Sequence, residues 1–329
     1  MRTVSVFAAH LERAMGYPPG TLDKAARIFD SGAGYSQLKV PSKRGRFRRV
    51  MRPTTALDAM LKLLRQCLER ELSFLPQDCV HGCVKKRGIL SNARVHLGQK
   101  VVLRLDIRRF FESVSLQQVK SALQAGGLDE DSALLLGRCT TLDGHLPVGF
   151  STSPFLANLV FDPTDSVLRS FASEHSLNYT RYVDDLTFSG NYIDDEIRIQ
   201  IESLIEAHGW TIQNKKTRFM RAGHAQYVTG LSVNDPSGPH IPRHVKRFLR
   251  LEIHHVAVSG FAASSLGKRK LLGHINNVKH VNPDLGSELH AALKATGLLT
   301  GRREGEDEGL EEYFDDELFW EELGVSDEF

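Results

Sequence analysis

A chain of 329 residues with 41% hydrophobic content can bury a large core but exceeds one simple domain, and no apolar run approaches the roughly 18 residues of a membrane span. A cytoplasmic protein of two or three lobes is expected, because MRTVSVFAAHLERAMGY gains charge where a secretory segment would stay apolar and four cysteines make no disulfide framework. The net charge of +2 hides an asymmetry: the first 300 residues hold 40 basic and 27 acidic side chains, residues 301–329 hold 2 and 13, and a basic body favours a polyanionic partner.

In chain order, apolar residues at helical spacing predict a helix over 56–72. Cys79, His81 and Cys83 follow, but their one-residue spacing and the lack of a nearby fourth ligand fit no common zinc pattern. VVLRLDI, 101–107, is β-branched and apolar enough for a buried strand, with Asp106 at its C-terminal end. A helix over 115–125 comes next. LPVGFSTSP then introduces a helix from Ser153-Pro154 through Phe161, which Asp162-Pro163 is expected to restart as N-cap and first residue. Two short strands, 177–182 and 186–189, flank Val183-Asp184-Asp185, and a helix over 195–208 ends at Gly209. Helices mixed with mostly antiparallel hairpins predict an α+β fold.

The doublet Asp184-Asp185 sits in an apolar, β-branched and aromatic run, TRYVDDLTFSG. Neighbouring side chains in a strand face opposite sides, so both carboxylates can serve one site only where the strand turns, and a hairpin tip is expected there. Asp106 ends another apolar strand, which can bring a third carboxylate near. Like charges that close raise one another's pKa unless cations neutralise them, and oxygen ligands of this kind suit Mg²⁺. Two such ions would activate a 3′-hydroxyl and steady a pyrophosphate leaving group. A plain polar turn between strands is the simpler reading of the doublet taken alone.

LRLDIRRFF and TRYVDDLTFSG resemble, in order and spacing, the motifs of reverse transcriptases. Asn92-Ala93-Arg94-Val95-His96 is similar to the NAxxH signature, and Val228-Thr229-Gly230 to the VTG signature, of the bacterial retron enzymes. HGCVKKRGI, NKKTRFM and RLEIHHV extend the likeness over about residues 30–285. The resemblance implies an α+β right-hand polymerase: fingers and palm with antiparallel sheet, an α-helical thumb and here an acidic C-terminal tail. Its expected parts are an N-terminal helical extension (1–35), fingers (36–98), palm (99–235, with inserted fingers helices at about 115–145), an RNA-binding thumb (236–300) and the tail (301–329).

Carried over residue by residue, the resemblance makes Asp106, Asp184 and Asp185 catalytic. They would hold two Mg²⁺ ions with the backbone at Ile107, Asp185 acting more loosely. Phe111 matches the gate that excludes a 2′-hydroxyl, so DNA is the expected product. Lys43 and Arg48, in the basic segment VPSKRGRFRRV, would meet the triphosphate of an incoming dNTP, and Lys216 in NKKTRFM would lie near the primer and nucleotide phosphates. Val148 stands where most relatives carry glutamine in LPQG, which bears on nucleotide affinity and fidelity. Asn92, His96, Arg243, Lys246, Arg247 and Arg250 are the expected RNA contacts, the last four around a helix whose Val245, Phe248, Leu249 and Ile253 pack inward.

The family implies a cognate noncoding RNA, partly copied into single-stranded DNA linked to RNA, together with a separate effector protein and a role in defence against phage. No membrane is expected. Two other readings stay open: a palm-fold RNA-binding scaffold with little synthesis that gates a partner effector, and a reverse transcriptase of another bacterial lineage. The tail interleaves Leu310, Tyr313, Phe314, Leu318, Phe319 and Trp320 with carboxylates. That pattern suits a short amphipathic helix on a partner, a nucleic-acid mimic over a basic cleft, or a solubilising tail.

Overall fold

The computed structural model describes residues 6–41 and 47–299. Helices α1 (Val6–Ala14) and α2 (Thr21–Asp30) lead into an antiparallel hairpin of β1 (Tyr35–Pro41) and β2 (Phe47–Pro53), in register from Tyr35↔Pro53 to Pro41↔Phe47. α3 (Thr55–Glu71) buries Met60, Leu61, Leu64, Cys67 and Leu68, the stripe that its periodicity predicts. α4 (Ile89–Arg94) precedes β3 (Val101–Asp106), whose continuous apolar run is buried almost throughout.

α5 (Phe110–Ser113), α6 (Leu116–Ala125) and α7 (Glu130–Thr140) follow. The start of α6 is set by a capping box, in which the Gln118 amide N–H donates to Ser115 Oγ and the Ser115 amide N–H donates to Gln118 Oε1. Asp129 caps α7 through the Ser132 amide.

α8 (Ser153–Glu174) runs unbroken through Pro163, where a restart was expected. Phe161 before the proline and Asp165 and Leu168 after it are all buried, so packing on both sides outweighs the one missing amide. β4 (Asn178–Tyr182) and β5 (Asp185–Gly190) form a hairpin, and α9 (Asp195–Ala207) is capped by Asp194 and ends before Gly209, which has φ +84°. After β6 (Arg218–Arg221), the strands β7 (Tyr227–Val228) and β8 (Leu231–Ser232) pair antiparallel. Helices α10 (Arg243–Ser259), α11 (Gly267–Val281) and α12 (Pro283–Ala295) complete the described chain. The largest sheet has the order β4-β5-β3-β6.

The chain divides into two compact units. One comprises residues up to Lys86, Leu103–Phe188 and Ile193–Arg218, and its core includes the rings of Phe110, Phe161 and Trp210, with centroids 4.6–5.6 Å apart. The other comprises Arg87–Val102, Ser189–Tyr192 and the chain from Phe219 on. Its core includes Leu249 and Val256 of α10, Leu271, Ile275 and Val278 of α11, and Leu289 and Leu293 of α12. Among the described residues no helix is long and apolar enough to cross a membrane.

Candidate active site

The C-terminal end of β3 and the β4–β5 turn are joined by one backbone bond, from the Ile107 N–H to the Asp184 carbonyl at 2.9 Å. That bond sets the strand end carrying Asp106 beside the turn carrying Asp184. The turn consists of Val183 and Asp184, and Asp185 is already the first residue of β5, so the two aspartates do not share the tip as expected. Val183 has φ +59°, a left-handed conformation unusual for a β-branched residue.

Each flanking carboxylate meets a cation from elsewhere in the chain. Lys216 Nζ lies 2.6 Å from Asp106 Oδ2. The lysine belongs to a 3₁₀ turn (Asn214–Lys216) that backbone bonds place there: the Gln213 amide donates to the Asp106 carbonyl and the Lys216 amide to the Gln213 carbonyl, both at 2.8 Å. Arg104, two residues before Asp106 on the same face of β3, sets its Nε 2.8 Å and 2.7 Å from the two carboxylate oxygens of Asp185. Among the described residues no group of three or more His, Cys, Asp or Glu side chains is arranged to hold a metal ion. The ammonium and guanidinium groups supply the positive charge next to Asp106 and Asp185.

Below the turn lies a buried polar network that local sequence patterns do not reveal. Arg181 and Asp165 are both fully buried; Arg181 NH2 and Nε donate to Asp165 Oδ2 (2.6 Å) and Oδ1 (2.9 Å), and the Tyr179 hydroxyl donates to Oδ1 (2.8 Å). Burial disfavours the charge on Arg181, but the facing Asp165 carboxylate outweighs it and holds the guanidinium pKa above its ordinary value. Burial and the same carboxylate push the Tyr179 hydroxyl far up. Nearby, burial pushes the Cys79 thiol up to about 12, so it stays protonated, while Cys83 is exposed.

A family model described as "Reverse transcriptase (RNA-dependent DNA polymerase)" matches residues 40–262. The retron Mx65 reverse transcriptase of Myxococcus xanthus is 32% identical over 283 residues, covering 80% of this chain and 65% of that protein. The retron Ec86 reverse transcriptase of Escherichia coli is 31% identical over 223 residues, covering 67% of this chain and 68% of that protein. This chain belongs to the reverse transcriptase family, among its retron-type members. It spans 58% to 65% of the length of the two Myxococcus relatives that it matches.

The reverse transcriptase match contains Asp106, Asp184, Asp185 and all the other expected site residues. Phe111 is half-buried in α5, edge-on to the core ring of Phe110 at 5.5 Å. The Val148 carbonyl accepts from the Met51 amide at 2.7 Å, which ties LPVG to β2; Gly149 (φ +110°) passes so close that a Cβ would stand 2.5 Å from the Met51 carbonyl oxygen. Arg48 is half-exposed on β2, and Lys43 lies outside the described residues.

The two retron-type signatures are internal in this reverse transcriptase. Asn92 and His96 are buried, the His96 ring is bonded through Nδ1 to Ser189 Oγ at 2.6 Å, and Thr229 of VTG donates to the Ile89 carbonyl of α4 at 3.0 Å. VTG therefore packs on the helix that carries Asn92, and, against expectation, neither Asn92 nor His96 offers a surface to RNA. Arg243, Arg247 and Arg250 are exposed on α10 and Lys246 is half-exposed; Arg250 pairs with Glu288 of α12 at 2.9 Å.

Proposed function

We propose that this reverse transcriptase copies part of a cognate structured noncoding RNA into single-stranded DNA joined to RNA, acting in the cytoplasm as the polymerase of an anti-phage system with a separate effector protein. The observation that carries this reading is the Ile107–Asp184 backbone bond, which sets the strand end that carries Asp106 beside the turn that carries Asp184. Their oxygen donors fit Mg²⁺. Asp106 and Asp184 would hold two ions with the Ile107 backbone, and Asp185, turned to Arg104, supports them electrostatically. Magnesium, when bound, lowers the pKa of a 3′-hydroxyl and stabilises charge on the leaving pyrophosphate.

This chain's own side chains supply the rest. Phe111 stands against a 2′-hydroxyl, Lys43 and Arg48 neutralise the triphosphate of the dNTP, and Val148 lines the sugar pocket without the amide of glutamine. Lys216 serves the nucleotide and primer phosphates from its place beside Asp106. Arg243, Lys246, Arg247 and Arg250 present charge to RNA phosphates along α10, while Asn92 and His96 support the RNA-binding unit from inside. Residues 36–98 are assigned as fingers, 99–235 as palm with the 115–145 insertion, 236–300 as thumb, with 1–35 an N-terminal extension and 301–329 an acidic tail.

The test is to purify the protein with the noncoding RNA encoded beside its gene and supply Mg²⁺ and deoxynucleotides, with Asp184→Asn as control. RNA-linked DNA from the wild type alone is the expected result. Tight RNA binding with no product from either protein would refute the polymerase reading and favour an RNA-binding scaffold.

A further inference from the structure

Three residues that have no assigned catalytic role close around the turn that carries Asp184. Arg181 NH1 donates to the Val183 carbonyl (3.1 Å) and to Asn158 Oδ1 (2.9 Å). Asn158, buried in α8, donates through Nδ2 to the Gly82 carbonyl at 3.2 Å. Gly82 lies flat against the turn, since a Cβ on it would stand 2.3 Å from the Val183 amide nitrogen and 2.8 Å from Val183 Cγ2. The circuit thus reaches Val183 on its carbonyl side through Arg181 and on its amide side through Gly82, with Asn158 joining the two.

We propose that Arg181, Asn158 and Gly82 form a positioning clamp that holds Val183 in its left-handed conformation and so fixes how Asp184 is presented beside Asp106. A β-branched residue keeps φ near +59° only when its surroundings impose it. Both peptide planes around Asp184 are pinned: the Val183 carbonyl by Arg181, and the Asp184 carbonyl by the Ile107 N–H. Arg181 can serve because its other edge is locked on Asp165 and its plane lies over the Phe161 ring, 4.6 Å from the centroid. A lysine would keep a charge for Asp165 but lacks the fork that reaches Asp165, Asn158 and Val183 at once. All three residues are buried, so their effect on chemistry passes through Asp184.

The inference rests on the reading of Asp184 as a metal-holding residue, and the test separates the two. In the full-length protein with its RNA, Asn158→Ala and Arg181→Lys are compared with wild type in three ways: the Mg²⁺ dependence of deoxynucleotide incorporation, Mn²⁺ affinity by electron paramagnetic resonance, and RNA affinity. All are measured well below each protein's melting temperature. The clamp predicts that the Mg²⁺ midpoint rises and kcat falls, each by about 10-fold or more, and that Mn²⁺ affinity drops in parallel while RNA affinity and the nucleotide KM stay within about twofold. A merely structural role would lower the melting temperature and leave the Mg²⁺ midpoint and Mn²⁺ affinity unchanged, and that result overturns the clamp. Should one variant fail to fold, the other decides. Should the wild type make no DNA, the polymerase reading fails and Mn²⁺ affinity alone still decides the clamp.

Discussion

Replacing Asp165 by asparagine keeps the shape of the side chain but removes the charge that faces Arg181. Both partners are 0% exposed, and Asp165 accepts bonds from the Tyr179 hydroxyl and from Nε and NH2 of Arg181. A guanidinium does not deprotonate in proteins, so the variant must keep an uncompensated charge in the core. Breaking a buried pair from one side costs about 3–5 kcal/mol. The asparagine oxygen still accepts one or two of the bonds, which places the expected loss near the lower figure, about 3 kcal/mol or two orders of magnitude in the folding equilibrium.

The control is Glu288→Gln, which breaks the Arg250–Glu288 pair of side chains 55% and 59% exposed and should cost less than about 1 kcal/mol. Urea unfolding can be followed by the fluorescence of Trp210, buried in the same unit and bonded through Nε1 to Thr164 next to Asp165. Trp320→Phe, present in every protein compared, leaves Trp210 as the sole tryptophan. A loss for Asp165→Asn no larger than that of the control would refute the claim that this buried pair anchors the unit that contains it.

Gly149→Ala should strain the chain by about 1–3 kcal/mol and push β2 away, because the added methyl meets the Met51 carbonyl at φ +110°. A lower melting temperature together with a raised nucleotide KM is expected, and wild-type values for both would count against it. Burial of Glu252 pushes its pKa up, but hydrogen bonds from Ser264 and Ser265 prevail and hold it below the ordinary glutamate value. Its contribution is therefore fully present above that ordinary value, about 4.3, and is lost as pH falls through the lower folded one. Melting temperatures across pH 3–6, the range of about one unit or more on either side of that value, should fall less steeply at the acid end for Glu252→Gln; identical acid limbs would dismiss the idea. Phe111→Ala should let ribonucleotides compete with deoxynucleotides, measured as the ratio of kcat/KM values, whereas unchanged discrimination would move the gate elsewhere.

Much of the framework was legible because it is local. The stripe of α3, the helical run of α6, the end of α9 before Gly209 and the β-branched run of β3 each carry their signal within a few consecutive residues. The order and spacing of Asp106 and Asp184 were legible in the same way. What was not legible depends on residues far apart in the chain. Pro163 reads as a helix start, yet tertiary packing carries α8 through it. Asn92 and His96 read as polar surface groups, yet both are buried, His96 bonded to Ser189 and Asn92 on the helix that receives the VTG turn. Arg181 is the fullest case. Its partners lie 16 and 23 residues away and join it to a glycine 76 residues from Asn158, and no periodicity marks such a circuit.

Three carboxylates near the Val183–Asp184 turn are matched to cations that come from other segments: Asp106 to Lys216, Asp185 to Arg104 and Asp165 to Arg181. Their exposure orders them by how readily the pair can part. Arg181 is wholly buried, so releasing Asp165 would strand a charge in the core, and this pair is permanent. Arg104 is 24% exposed and holds Asp185 through both oxygens, which keeps that carboxylate committed to the strand. Lys216 is 48% exposed on a flexible stem, so its ammonium can turn to water, provided that another cation replaces it beside Asp106, which is only 7% exposed. Of the three aspartates in the two strand motifs, Asp106 is thus the one whose partner is exchangeable, and Asp184 the one whose backbone is pinned on both sides. A carboxylate with an exchangeable partner beside a rigidly presented one suits the divalent-cation site proposed above, because the fold must tolerate the same charges when the cations are gone.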